Sequence, residues 1–144
     1  MNDSLQAALD LLPHGPEFRF VDELTALDPG KSGTGNYTVR GTEDFLRGHF
    51  PGQPLFPGVL LVEALAQLAG IVAQSDPEKS PLGNLKLTAL RAVKIYGTAQ
   101  PGEVIDLRAE IIGRLDCLIQ AKGVAVVGDR TLMHAEITLS GERT

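Results

Sequence analysis

The longest apolar stretch of the chain predicts one long helix. Residues 59–74 read VLLVEALAQLAGIVAQ, a run of good helix formers that follows a segment rich in helix breakers. Pro57 is acceptable in a first helical turn, whereas Asp76-Pro77 cannot continue a helix. The pattern therefore predicts a helix over residues 57–74.

Two segments before this helix have contrasting patterns. Near the N-terminus, apolar residues recur at helical spacing until Pro13 and predict a short amphipathic helix; they are Leu5, Ala8, Leu9 and Leu12. Residues 41–58 contain so many prolines and glycines that an irregular loop is expected there.

Alternating and β-branched residues predict six strands. The first two cover residues 18–27 and 34–40, and Asp28-Pro29-Gly30 between them is a turn sequence that favours a hairpin. The other four are expected at residues 85–96, 104–113, 117–127 and 131–139. The segments that separate these four are short enough for antiparallel hairpins.

The polar residues of the long helix share one narrow stripe. At 100° per residue, Gln67, Gly70 and Gln74 all fall within about 40° of Glu63, and the other directions carry apolar side chains. A helix that is apolar on nearly all sides is normally enclosed, and the six strands can enclose it. The sequence thus predicts an α+β fold in which a six-stranded antiparallel sheet curls around a central helix.

Length and composition limit the architecture and the cellular setting. The 144 residues, with 43% hydrophobic and 22% charged, fit one folded domain over residues 1–144. A lone cysteine, Cys117, excludes an internal disulfide, and the N-terminus does not resemble a signal peptide, so a cytoplasmic protein is expected. The run of residues 55–73 contains Pro57, Gly58, Glu63 and Gln67, which favours a buried helix over a membrane span.

Charge and motif content exclude several classes of function. A net charge of −5, with no basic run, argues against nucleic acid as the main partner. His14, His49 and His134 lack metal-ligand spacing, and Gly33-Thr34-Gly35 is too short for a dinucleotide site, so neither a metal nor a cofactor is expected.

Two residues have candidate chemistry. Glu63 lies on an otherwise apolar helix, where burial favours a protonated carboxyl group, although a lone Glu is more often simply exposed to water. His49 lies in the loop that leads to the helix N-terminus at Gly58, where free backbone N–H groups can bind an oxyanion; a structural role is the alternative.

These residues belong to a longer motif. The run from His49 to Leu60, HFPGQPLFPGVL, and the following VEALAQ of residues 62–67 closely resemble the FabZ-type (3R)-hydroxyacyl-acyl carrier protein dehydratases. Leu12-Pro13-His14, Phe20-Val21-Asp22 and Gln100-Pro101-Gly102-Glu103 resemble further landmarks of that family.

The resemblance implies a hotdog fold and an activity. It implies dehydration of a 3-hydroxyacyl thioester, linked to acyl carrier protein or CoA, to the trans-2-enoyl thioester without a cofactor. His49 is then the base for the α proton and Glu63 the acid for the leaving hydroxyl. Gly58 would bind the enolate oxygen, and Phe50 and Val59 would contact substrate. Gln67 would orient Glu63 or contact substrate, with packing as the alternative role.

The resemblance also implies an oligomeric state and a choice between two related reactions. The expected assembly is a homodimer whose active sites take His49 from one subunit and Glu63 from the other, with a trimer of dimers as the larger alternative. FabA-type relatives, which also isomerise the double bond, typically carry Asp where this chain has Glu63, so simple dehydration is favoured.

The chain departs from the family pattern at several positions. Gly15 stands where Arg is usual, and Leu85-Lys86-Leu87 stands where adjacent tyrosines commonly gate the acyl tunnel. The basic residues Lys86, Arg91 and Lys94 are candidates for docking an acidic carrier protein, with a solvated strand face as the alternative. A hotdog thioesterase and a non-catalytic acyl-thioester-binding protein are the competing functions.

Overall fold

The computed structural model describes residues 3–48, 52 and 54–144. Its elements, in chain order, are α1 (Asp3–Leu9), a single 3₁₀ turn (Pro16–Phe18), β1 (Glu23–Asp28), β2 (Ser32–Thr38), α2 (Asp44–Gly48), α3 (Gly58–Gln74), β3 (Leu82–Ile95), β4 (Val104–Leu115), β5 (Leu118–Val127) and β6 (Arg130–Arg143).

One antiparallel sheet contains all six strands. Their spatial order is β1-β2-β4-β5-β6-β3, so β1 and β3 form the two edges. Helix α3 packs against β2, β3, β4, β5 and β6. A long helix wrapped by a six-stranded sheet is the hotdog arrangement, and this prediction is confirmed.

The core lies between α3 and the inner face of the sheet. Leu61, Leu65, Leu68 and Val72 of the helix are fully buried. Helix and sheet approach closely at Gly123 of β5, where an added Cβ would lie 3.1 Å from a Leu65 methyl carbon. A side chain here would require Leu65 or the backbone to shift by a few tenths of an ångström, so glycine allows the helix to pack closely on the sheet.

The helix boundaries agree with the sequence pattern. Pro57 is the N-cap of α3 and has φ −61° and ψ 135°, so the helix starts one residue later than predicted and ends at Gln74 as predicted. Helix α1 is confirmed as well, although it ends at Leu9; Leu12 lies beyond it and is buried in the core. The turn at 28–30 closes through the Lys31 N–H and the Asp28 carbonyl, with Gly30 at φ 79°.

Three predictions about the strands and loops need correction. The first strand begins at Glu23 and not at residue 18, because the backbone at 18–20 hydrogen-bonds to a helix side chain instead of a strand. The segment 41–58 is not wholly irregular, since α2 forms within it, with Leu46 N–H bonded to the Glu43 carbonyl.

The third correction concerns β3 and β4. They were expected to form a hairpin through residues 100–103, but β3 pairs with β6 at the far edge of the sheet. Backbone hydrogen bonds fix the segment between β3 and β4 instead: Tyr96 N–H donates to the Leu132 carbonyl, and the Ala99 carbonyl accepts from Phe56 N–H. Strand β3 therefore forms one long edge of the sheet.

No helix among the described residues is long and apolar enough to cross a membrane.

Candidate active site

The polar stripe of α3 faces a cavity. Glu63, Gln67, Gly70 and Gln74 all line one cavity of about 730 Å³, a size typical of small-molecule sites. The rest of its wall comes from the segment after α1, from the start of β3 and from helix α3 and strand β6: Leu11, Leu12, Pro13, His14, Ala66, Ile71, Leu82, Asn84, Leu85, Lys86, Leu87 and Leu139. The stripe thus borders a mostly apolar space.

Gln67 connects the helix to the chain segment that covers it. Its side chain is 2% exposed. Its Oε1 accepts from Phe20 N–H at 2.9 Å, and its Nε2 donates to the Phe18 carbonyl at 2.9 Å. These two backbone partners fix which end of the amide is oxygen and which is nitrogen.

The same amide group orients Glu63. Gln67 Nε2 also donates to Glu63 Oε2, at 3.1 Å, one helical turn away. The Glu63 side chain retains 23% of its exposure, so it is reached from the cavity. Among the described residues, none hydrogen-bonds to its other oxygen, Oε1. The arrangement leaves one carboxyl oxygen without a hydrogen bond from the described residues at the edge of a mostly apolar cavity, and a carboxyl group in such a place can give or accept a proton.

His14 is the second titratable group at this place. Its Nε2 lies 3.4 Å from Glu63 Oε2, and its ring stacks on Phe18 with centroids 6.1 Å apart. Arg19 Nε donates to the His14 carbonyl at 2.8 Å and so fixes the backbone that carries the ring.

A hydrogen-bonded cluster holds the chain just before residue 49. Glu43 accepts hydrogen bonds from the Tyr37 hydroxyl at 2.6 Å and from the N–H groups of Arg40 and Gly41. Burial raises the pKa of Tyr37, and its bond to Glu43 raises it further. Burial alone would raise the pKa of Glu43, but the bonds from Tyr37 and the backbone outweigh burial and lower it. Glu43 thus remains an anion, and its hydrogen bonds fix the chain that leads into α2.

Four further site residues were predicted, and two of them, Gly58 and Val59, are described by the structure. Gly58 is the first residue of α3, and Val59 beside it is 75% exposed; neither lines the cavity. Gly58 lies against Ile95, whose Cδ1 would be 3.0 Å from an added Cβ. His49 and Phe50 lie outside the described residues.

Within the described ranges, no group of three or more His, Cys, Asp or Glu residues has the geometry to hold a metal ion.

A family model for the FabA-like domain matches residues 12–136. The chain belongs to this FabA-like family. The match extends from the segment that carries His14 into the last strand, and it includes both the sequence around His49 and helix α3.

Relatives of similar length carry the FabZ name. A "3-hydroxyacyl-[acyl-carrier-protein] dehydratase FabZ" of Clostridium acetobutylicum is 34% identical over 141 residues, which cover 96% of this chain and 97% of the relative. The protein of the same name from Ruminiclostridium cellulolyticum is 40% identical over 129 residues, 89% of each chain.

Solved structures share the fold of this FabA-like chain at low identity. The dehydratase heterocomplex ApeI:P from Xenorhabdus doucetiae aligns with a TM-score of 0.79 at 16% identity, covering 94% of this chain and 91% of that one. Zebra fish thioesterase superfamily member 2 aligns with a TM-score of 0.67 at 12% identity, covering 92% and 90%. The same architecture is thus found in proteins with different names.

Sequence reasoning passed over two residues of this site. His14 was noted only as part of a family landmark and as a histidine without metal-ligand spacing, and its contact with Glu63 depends on a turn between α1 and β1 that no local pattern reveals. Glu43 was not singled out; its position two residues after Gly41, which has φ 95°, is the one local sign of a tight turn.

Replacement of Gln67 tests whether this amide holds the site together. Gln67→Leu leaves Phe20 N–H and the Phe18 carbonyl without their partner in a buried place, so we expect a loss of about 2–5 kcal/mol in the free energy of unfolding. Urea titration followed by circular dichroism measures it.

Gln74→Leu is the matched control. Gln74 makes the same pair of bonds, to Leu82 N–H and the Leu82 carbonyl, but its surroundings are half-exposed and water can replace it. A smaller loss is expected for this control. Equal losses for the two variants would refute the assigned role of Gln67.

Proposed function

We propose that this protein dehydrates (3R)-hydroxyacyl thioesters to trans-2-enoyl thioesters in acyl-chain synthesis. The observation that carries the proposal is Glu63, a carboxyl group held by Gln67 at the edge of a mostly apolar cavity. Membership of the FabA-like family and FabZ-named relatives over nearly the whole chain support it.

The proposed chemistry assigns one residue to each proton. His49 removes the α proton, and the electron pair of that C–H bond moves into an enolate that Gly58 N–H stabilises. As the C=C bond forms, the C–O bond at the β carbon breaks, and the leaving hydroxyl takes the proton of Glu63 to depart as water. Hydroxide is a poor leaving group, so this proton is essential.

The cavity fits an acyl chain. Its apolar wall suits a hydrocarbon, and the thioester carbonyl would lie near α3 while the chain extends toward the start of β3. Leu85, Lys86 and Leu87, which depart from the tyrosines usual in the family, line this region and are proposed to set which chains fit. Phe50 and Val59 are proposed as further substrate contacts.

A second copy of the chain is proposed to complete the site. Strand β3 is a 14-residue edge strand, and a long unpaired edge favours pairing with another chain. Large apolar side chains near it and near the start of α3 are exposed: Val59, Leu90, Ile95 and Tyr96. On the helix Gly58 lies about 140° around from Glu63, so one copy's Gly58 and His49 would serve the other copy's Glu63.

The carrier and the location follow from the same proposal. The exposed basic residues of β3, Lys86, Arg91 and Lys94, are the proposed contact for an acidic acyl carrier protein, although Arg91 also lies 3.8 Å from Glu136. Such a carrier and the lone, unpaired Cys117 support a cytoplasmic location.

Glu63→Gln tests the proposed acid. The variant keeps the shape and a hydrogen-bonding group but cannot transfer the proton, so we expect a loss of about 10²–10⁴-fold in kcat. The assay follows the loss of enoyl absorbance on hydration of a crotonyl thioester, with free thiol measured in parallel. Glu136→Gln, a half-buried carboxylate on β6 that does not line the cavity, is the control and is expected to keep wild-type activity.

The parallel readouts separate the competing functions. Hydration without thiol release supports the dehydratase. Thiol release at the same rate as enoyl loss would indicate a thioesterase, and neither signal would indicate an acyl-thioester-binding protein.

Leu90→Lys tests the shared site. A charge on the exposed edge strand is expected to weaken the dimer and to lower activity together, because each site needs both copies. Light scattering measures the mass. Leu118→Lys is the matched control, since Leu118 is 47% exposed against 48% for Leu90 and lies on β5, away from the edge. A wild-type monomer with full activity would contradict the model.

A further inference from the structure

His14 contacts the oxygen of Glu63 that is already bonded. Its Nε2 is 3.4 Å from Glu63 Oε2, and the same oxygen accepts from Gln67 Nε2 at 3.1 Å. The direction of the Gln67 bond is fixed, because the other end of that amide accepts from Phe20 N–H. A separation of 3.4 Å is long for a hydrogen bond, and contacts of this kind in ligand-free sites shorten once substrate excludes water.

The imidazole ring of His14 is held in place from two sides. Arg19 donates to the carbonyl of His14 at 2.8 Å and to that of Leu12 at 3.2 Å, which fixes the backbone. The ring lies against Phe18, and the Phe18 carbonyl is bonded to Gln67. Gln67 therefore positions both the ring and the carboxyl group that the ring meets.

The other ring nitrogen restricts the protonation of His14. Nδ1 is buried and has no hydrogen-bond partner among the described residues. A proton on Nδ1 would be a buried donor without an acceptor, and on an imidazolium it would also be charged. A bare Nδ1 is far less costly, so the burial favours the tautomer that carries its proton on Nε2, the nitrogen that lies 3.4 Å from Glu63 Oε2.

This tautomer has a consequence for the proton of Glu63. Gln67 Nε2 donates to Oε2 and His14 Nε2 lies 3.4 Å from the same oxygen, so a proton on the carboxyl group is favoured on Oε1, which has no partner among the described residues. Two cations lie near this pair: Arg19 donates to backbone carbonyls, and Lys86, from the start of β3, lines the same cavity.

We infer that His14 is a positioning residue, a neutral Nε2–H donor that together with Gln67 confines the transferable proton of Glu63 to the oxygen facing the substrate. The inference rests on the proposed function for its catalytic meaning, but the tautomer itself does not.

Nuclear magnetic resonance tests the tautomer without any activity. Long-range ¹H–¹⁵N spectra of the full-length protein distinguish the two neutral tautomers and the imidazolium, and His14→Gln identifies the His14 signals by their loss. We expect a protonated Nε2 and a bare Nδ1 at neutral pH. An imidazolium or an Nδ1–H tautomer would overturn the inference. His134, whose Nε2 pairs with the Tyr96 hydroxyl, is the internal control. The chemical shifts of its ring are expected to be unchanged by Glu63→Gln.

Kinetics test the positioning role. His14→Leu removes the donor, so we expect kcat to fall about tenfold with KM within twofold. His14→Gln keeps an N–H donor and is expected to recover most of kcat.

Equal kinetics for wild type and His14→Leu, or a change in KM alone, would overturn the role. A wild-type protein without hydratase activity would overturn the proposed function instead, and the tautomer measurement would still decide the state of His14.

Discussion

The buried amide of Gln67 links the segment before β1 to helix α3 and to the carboxyl group of Glu63. It binds the backbone of the segment before β1 on both sides, at Phe18 and Phe20, and it holds the carboxyl group of Glu63 one turn away on α3. A polar side chain this deeply buried is stable only when its bonding capacity is used, and here it is used by the chain that closes the cavity. The same hydrogen bonds that satisfy the amide therefore hold the segment before β1 against α3 and orient the carboxyl group of Glu63.

The fold around this amide explains why the helix carries so few polar residues. The sheet and the segment before β1 bury most of the other side chains of α3, and the helix approaches β5 closely at Gly123. The polar stripe is left facing the cavity. The candidate site thus lies where the enclosure of the helix is incomplete along its polar stripe.

Much of this was visible in the sequence, for physical reasons. The apolar helix and its polar stripe follow from 3.6-residue periodicity, and the strands follow from alternation, so the architecture and the position of Glu63 on the polar stripe were predictable. The pairing of β3 with β6 was not, because short separators suggest hairpins and only the packed sheet decides the neighbours. The role of His14 was hidden for a related reason: its contact with Glu63 spans 49 positions and depends on the bonds of Gln67. The predicted role of His49 stays a prediction.

The central claim is that Glu63 of one subunit works with His49 of another, and subunit complementation tests it most directly. Purified His49→Ala and Glu63→Gln variants are each measured for hydration of a crotonyl thioester, then mixed under conditions that exchange subunits and measured again. The account predicts two nearly inactive proteins whose mixture recovers about a quarter of wild-type activity, because half of the dimers are mixed and each mixed dimer has one intact site. A mixture that stays as inactive as its parents after proven exchange would contradict the shared site.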